Sequence, residues 1–513
     1  MLHRTAASAV LATTLLAAPA LADDPCLIQT GGALGQPASW TISGGDPGAF
    51  WFLLFGVVEV PTPIFTITLD IPIDLYTTSL AIGAYGFLDP SGGVTYNATL
   101  PAGASFDGKC FRAQAALNFL PDTVTNLTRL PLSFSQSFRP TFTAPNPLTA
   151  ITGGTAIEGD KGAIRVLGGS GGTSTTFDPR LEEFTDGILP FVAPGFTSST
   201  VLADGRVLFC GGIDPVSGDP TADAIVYDPV ANTATTVQMA HARLGHSTTL
   251  LNDGRVFVAG GLETISIDIS DPSSLLDPAT LLGLPNDIQV STEFFDPNTN
   301  TFSNGPNLPD KRLMHSAVRR ANGNVVISGG VSAFAGFPLI TSAVRDFNPS
   351  TGSYGIFPGF MATARAGHDS ILTASGDVLM IGGLAADVST FLTTQDPADI
   401  VISGVKTIER FNAGGIPSTT VVGTFQTGRA FCSTANLADG SVLIAGGFAI
   451  DLSDPQNPLI ENSAKVDRYF GGGVFATPVD MAEGRILPLL VQLDTGAVLV
   501  AGGLGITAEI YQP

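Results

Sequence analysis

The chain has 513 residues, of which 60 are Gly and 36 Pro, and it is 44% hydrophobic but only 13% charged. That length accommodates two or three domains with sizeable cores, and the balance suits a packed all-β protein with many turns. A net charge of −22 excludes nucleic acid as a partner, because nothing supplies the Lys/Arg stripe that phosphates require, and excludes docking on an anionic membrane.

Residues 1–22 read as an export signal. Arg4 gives a positive start, residues 6–18 are apolar, and Ala20, Leu21 and Ala22 make a small-residue cleavage site. The mature chain is therefore expected to be secreted, extracellular or periplasmic, without a lipid anchor. No later run approaches the ~20 apolar residues of a membrane span. In an oxidising compartment Cys26 and Cys110, which bracket one segment, are expected to pair. A loop of that length contributes roughly 4–5 kcal/mol in the chain-entropy model. Cys210 and Cys432 are expected to be free and buried.

Residues 23–135 carry short apolar stretches between Gly/Pro turns. Strands are expected at 94–100, 110–120 and 130–134, with an alternating run at 64–71. This pattern predicts a small β-sandwich. Trp40 and Trp51 stand in strand-like runs and read as core residues.

The rest of the chain is a repeat. A turn glycine, five mostly apolar residues and a Gly-Gly pair recur at Gly162, Gly205, Gly254, Gly323, Gly376, Gly440 and Gly496. The corresponding pairs begin at Gly168, Gly211, Gly260, Gly329, Gly382, Gly446 and Gly502. Each repeat reads as four strands. The first and second flank the turn glycine, where glycine tolerates positive φ. The third ends in an aromatic residue: Phe177, Tyr227, Phe295, Phe347, Phe411, Tyr469 or Tyr511. The fourth often begins with another, as at Phe184, Phe302, Tyr354 and Phe475. Such a unit cannot bury its faces alone and must stack radially, as in a β-propeller.

The Gly-Gly pair, the Tyr/Phe-Asp-Pro turn and an upstream Arg-x-x-His together resemble the kelch family of β-propellers. The resemblance implies a seven-bladed propeller over residues 136–513. The family's fourth-strand tryptophan is replaced by Phe or Tyr in four repeats and by no aromatic in the second, where looser packing is expected. The last repeat stops after its third strand. Residues 136–148, before repeat one, are expected to complete that blade and close the ring, which removes two open sheet edges.

Spacings between turn glycines of 43, 49, 69, 53, 64 and 56 residues place long inserts at 262–290, 331–340, 384–405 and 448–462. These share a face with the connections that carry Arg-x-x-His. That face, at the mouth of the central channel, is the expected binding site. Arg243, Arg312, Arg365, Arg429 and Arg485 occupy equivalent positions there. They read either as a ring that holds a carboxylate or sulfate, or as ties between neighbouring blades. His246, His315 and His368 follow three residues later. As one position copied around a ring they should not converge on a metal. Asp268 with Asp271 and Asp451 with Asp454 form an Asp doublet in two inserts. They are candidate calcium ligands, or solvated Asp-Pro turns.

No other cofactor is expected. The lead reading is an exported, non-catalytic binding or scaffolding protein, expected as a monomer with a protein or glycan partner. The alternative is a carbohydrate-active enzyme on a propeller scaffold. A copper-radical oxidase similar to galactose oxidase would need two tyrosines, two histidines and a cysteine crosslinked to one tyrosine. A glycosidase or lyase would need two facing carboxylates.

Overall fold

The computed structural model describes residues 154–513 apart from 159–162, 168–171, 180–182, 265–285, 335–336, 356–358, 395–398, 413–417, 452–458, 494–495 and 504–506. Before that it describes the backbone of ten strands between Cys26 and Phe138. The export signal lies outside the described residues.

The fold is all-β and its sheets are mainly antiparallel, with one short helix, Phe391–Thr394, among the described residues. Two larger sheets and one two-stranded hairpin precede the repeats. One larger sheet joins Cys26–Thr30, Pro37–Ser43 and Val94–Thr99, and the other joins Ala81–Phe87, Phe50–Gly56, Cys110–Leu117 and Thr128–Pro131. The alternating run at 64–71 is not one strand: Thr62–Ile64 turns back onto Ile67–Leu69 as a small hairpin, with Ile64 opposite Ile67. Cys26 and Cys110 begin strands in different sheets. Their side chains, and those of Trp40 and Trp51, lie outside the described residues.

Each repeat contributes a sheet that runs from an inner to an outer strand. Repeat three shows the pattern: Ser247–Leu250, Val256–Ala259, Thr292–Asp296 and Thr301–Asn304, all antiparallel. The inner strands Thr155–Glu158, Ser198–Val201, Ser247–Leu250, Ser316–Arg319, Asp369–Leu372, Ser433–Asn436 and Leu489–Gln492 lie side by side in chain order, and the last touches the first. The arrangement is propeller-like. The outermost strand of the last sheet is Ser137–Phe138, paired antiparallel with Ala508–Gln512 so that Phe138 stands opposite Tyr511. Repeats four and five depart from regularity. Their outer edges are joined by a parallel bridge, Phe360 opposite Ser418, which fuses the two sheets into one.

The cores lie between sheets rather than within them. Leu202, Leu208, Cys210, Ala224 and Val226 of repeat two pack on Val256, Val258 and Phe295 of repeat three. Ala156, Ile164, Val166 and Phe177 of repeat one pack on Leu489, Val491, Leu499 and Ile510 of repeat seven. The second strands are therefore buried on both faces. Val207–Cys210, Val256–Ala259, Val325–Ser328, Val378–Ile381, Val442–Ala445 and Val498–Ala501 are buried at every position. A near-continuous apolar run is what such a strand requires.

The third-strand aromatics are buried, and fourth-strand rings pack on four of them at centroid distances of 4.8–5.1 Å. In repeat two Ala234 faces Tyr227. The packing there is nevertheless tight. Phe191, from the connection entering that repeat, lies 5.3 Å from both Tyr227 and Phe209. The missing ring is replaced from another direction.

Candidate binding face

The five repeat arginines are 0–1% exposed, and their fork of donors is turned onto protein oxygens. Arg243 shows the design. Its Nη1 donates to the carbonyls of Gly260 and Ser291 at 2.7 and 3.0 Å, and its Nη2 donates to Glu293 Oε1 at 2.9 Å. Arg365 repeats this with Gly382, Thr407 and Glu409, and Arg485 with Gly502, Thr507 and Glu509. Arg429 donates to Asp467. The main-chain carbonyl of each arginine meanwhile accepts from the preceding repeat's second Gly-Gly residue: Gly212, Gly261, Gly330, Gly383 or Gly447, at 2.7–2.9 Å. Each arginine thus ties two repeats together. As a ring of ligand-binding groups the five fail as a set, because their guanidiniums are sealed from solvent and already bonded.

This clasp explains the Gly-Gly pair. A Cβ on Gly211, Gly260, Gly329, Gly382 or Gly446 would stand 2.3–2.5 Å from the carbonyl oxygen of the next repeat's arginine. Both residues of each described pair also have positive φ. Only glycine meets both conditions.

The acids that complete the clasp escaped the sequence reading. Glu293, Glu409, Asp467 and Glu509 each stand two residues before the third-strand aromatic, and all are buried. The signal was present. Repeat two lacks both members, with Pro194 at the arginine position and Ile225 at the acid position.

His246, His315 and His368 are 6–7% exposed and do not converge. Each ring packs over the first glycine of the preceding repeat's Gly-Gly pair, the slot that Cys432 and Pro488 fill in repeats six and seven. His315 Nε2 bonds Ser247 Oγ at 2.9 Å, and His368 Nε2 bonds Ser328 Oγ at 2.7 Å. Burial and the nearby arginines push His246 and His315 down to about 3, and His368 well below its ordinary value. All three are neutral. Among the described residues no three His, Cys, Asp or Glu side chains gather where they could hold a metal ion. Tyr227, Tyr354 and Tyr469 donate to Asn232, Pro306 and Val422 on third and fourth strands and the turns beside them, away from the inner strands. Cys210 and Cys432 are free and buried, and burial holds both thiols protonated. Asp268, Asp271 and Asp454 lie outside the described residues. Asp451 ends the strand Phe448–Asp451, but its side chain is likewise outside them.

The residue that follows the arginine by two positions has a left-handed backbone in every repeat from two to seven. It is Phe196, Gly245, Met314, Gly367, Phe431 and Leu487, with φ between 51° and 65°. From repeat three onward these residues are linked by backbone bonds of 2.7–2.9 Å: Met314 to Gly245, Gly367 to Met314, Phe431 to Gly367 and Leu487 to Phe431. An L side chain in this region is strained. The inter-repeat bond holds it there and forms a collar at the mouth of the ring.

Around that collar the inserts build ordered structure. Val331–Phe334 pairs with Phe337–Ile340 as a hairpin. The inserts of repeats five and six combine: Leu384–Asp387 and Val401–Gly404 join Phe448–Asp451, Leu459–Asn462 and Arg429–Ala430 in a sheet that crosses between repeats. Its neighbourhood exposes Phe337, Leu339 and Val401. At the repeat-three insert, His241 Nδ1 lies 3.3 Å from Glu263 Oε1, and Gln289 Nε2 donates to Glu263 Oε2 at 2.6 Å. His241 and Glu263 are about 40% exposed, so this is an accessible polar group where the arginines are not.

No family model and no curated protein matches the chain. Among solved structures it is similar to the structure of YjhT, with a TM-score of 0.46 and 17% identity over 62% of this chain and 99% of that one. It is also similar to a fungal alcohol oxidase of the AA5 family in complex with copper, with a TM-score of 0.47 and 14% identity over 74% of this chain and 76% of that one.

Proposed function

We propose that the chain is an exported, non-catalytic binding or scaffolding protein. It is built on a seven-bladed kelch-type propeller behind a small β-sandwich, and it engages a glycan or protein partner through the face that carries the inserts. The observation that supports this reading is the cross-repeat sheet of Leu384–Asp387, Val401–Gly404 and Phe448–Asp451. The repeat framework spends its polar groups internally, on arginine, carbonyl and buried acid. The inserts are what differs from repeat to repeat, and loops on a rigid scaffold are where recognition is usually built. The test is a panel of polysaccharides and envelope proteins offered to the mature protein and to a variant with residues 448–462 replaced by a short turn. Retained binding by a variant of unchanged melting temperature sinks the reading. Asp268, Asp271, Asp451 and Asp454 on the same inserts stay candidates for calcium, with solvated Asp-Pro turns as the alternative. Stoichiometric calcium, with melting lowered by EDTA, would assign them as ligands, and a metal-free protein indifferent to EDTA would leave them as solvated Asp-Pro turns.

A further inference from the structure

Repeat four breaks the charge rule that the other clasps obey. In repeats three, five, six and seven a buried acid stands two residues before the third-strand aromatic and neutralises the arginine. In repeat four that position, two before Phe347, is Arg345. Asp310, from the connection entering the repeat, serves both guanidiniums. Its Oδ2 accepts from Arg345 Nε at 2.9 Å, from Arg345 Nη2 at 2.6 Å and from Arg312 Nη2 at 3.3 Å. One carboxylate thus stands between two guanidiniums. This local excess of positive charge occurs in a chain of net charge −22.

The group is only partly buried. Arg312 is 1% exposed, Arg345 15% and Asp310 34%. Arg345 Nη1 makes no hydrogen bond among the described residues, so part of its fork remains to be used. Burial pushes Arg312 down to about 10; the Asp310 carboxylate pushes the other way, and Arg345 adds to the fall. In geometry, two guanidiniums share one carboxylate.

We propose that this group is an oxyanion site, in which Arg345, backed by Arg312, receives a carboxylate or sulfate of the bound partner beside Asp310. The proposal relies on the reading of the insert-bearing face only for what brings the anion there. Arginine recognises such groups through parallel N–H···O bonds, and a partly desolvated pair of this kind is stronger than a surface one.

The experiment is a titration of the full mature protein at low ionic strength with sodium galacturonate, sodium sulfate and, as the neutral control, galactose. At least one anion should bind and raise the melting temperature, and galactose should not. Galacturonate alone identifies a carboxylate site, sulfate alone a sulfate-ester site. Arg345→Glu restores the acid of the other repeats. It should fold at least as well as the parent and bind the anion at least tenfold more weakly. Arg345→Gln, which keeps the length but not the charge, should lose binding too. Silence from both anions, or folded Arg345 variants that bind like the parent, overturns the proposal. Anion binding that survives replacement of residues 448–462, when partner binding does not, would separate this site from the wider reading of the face.

Discussion

At the scale of single residues, the side chains that looked most like a site are the ones the fold has consumed. Arg365 and Glu409 are both fully buried and bonded to each other. Removing one partner leaves an uncompensated charge in the interior, so Arg365→Ala should destabilise by roughly 3–5 kcal/mol, read from urea unfolding midpoints. The histidines make a second prediction. Their folded pKa is depressed, so below the ordinary value of 6.5 the unfolded chain binds protons that the folded one refuses. Stability should therefore be complete above pH 6.5 and fall as pH drops from 6.5 toward 3. Each histidine contributes up to about 1.4 kcal/mol per pH unit over that window. Asp369 acts in the opposite sense. Burial raises it to about 6, so the folded state holds its proton more tightly between about 4 and 6. Three histidines outweigh one aspartate, and the net slope should be acid-destabilising. Unfolding at pH 7 and pH 4.5 should show it, and His315→Gln should make the difference smaller.

At the scale of elements, the two kinds of repeat glycine should behave differently although both have positive φ. Gly376 sits in a turn at φ 85°, and a methyl group added there would meet no atom within 4 Å, so Gly376→Ala should cost only the left-handed strain of about 1–2 kcal/mol. Gly329 has φ 57°, and a Cβ there would lie 2.3 Å from the carbonyl oxygen of Arg365. Gly329→Ala adds a backbone collision between neighbouring repeats to that strain. Its melting temperature should fall well below that of Gly376→Ala, and equal shifts would refute the clasp as the reason for the pair. Strands and glycines were legible in the sequence because burial on both faces and positive φ leave a local mark. The clasp was half legible. Arg243 and its counterparts stand out by spacing, but Glu293 lies 50 residues from Arg243, across an insert whose length changes from repeat to repeat. The collar at Met314, Phe431 and Leu487 left no mark, because nothing local asks for a left-handed backbone at those residues. It is imposed by the neighbouring repeat.

At the scale of the whole molecule, the ring depends on one short pairing between distant parts of the chain. Ser137–Phe138 covers the outer edge of Ala508–Gln512, and the core between repeats one and seven lies beside it. A chain beginning at residue 131 keeps that strand, and one beginning at residue 143 loses it. The first should remain monomeric. The second should expose the unpaired edge of Ala508–Gln512, melt several degrees lower and associate through it, because an open edge is a template for another strand. Size-exclusion chromatography with a melting curve on both truncations decides the matter. If both were monomeric with the same melting temperature, the ring would be held by the inter-repeat cores and arginine clasps alone, and the strand would be a tether for the two preceding sheets rather than a seal.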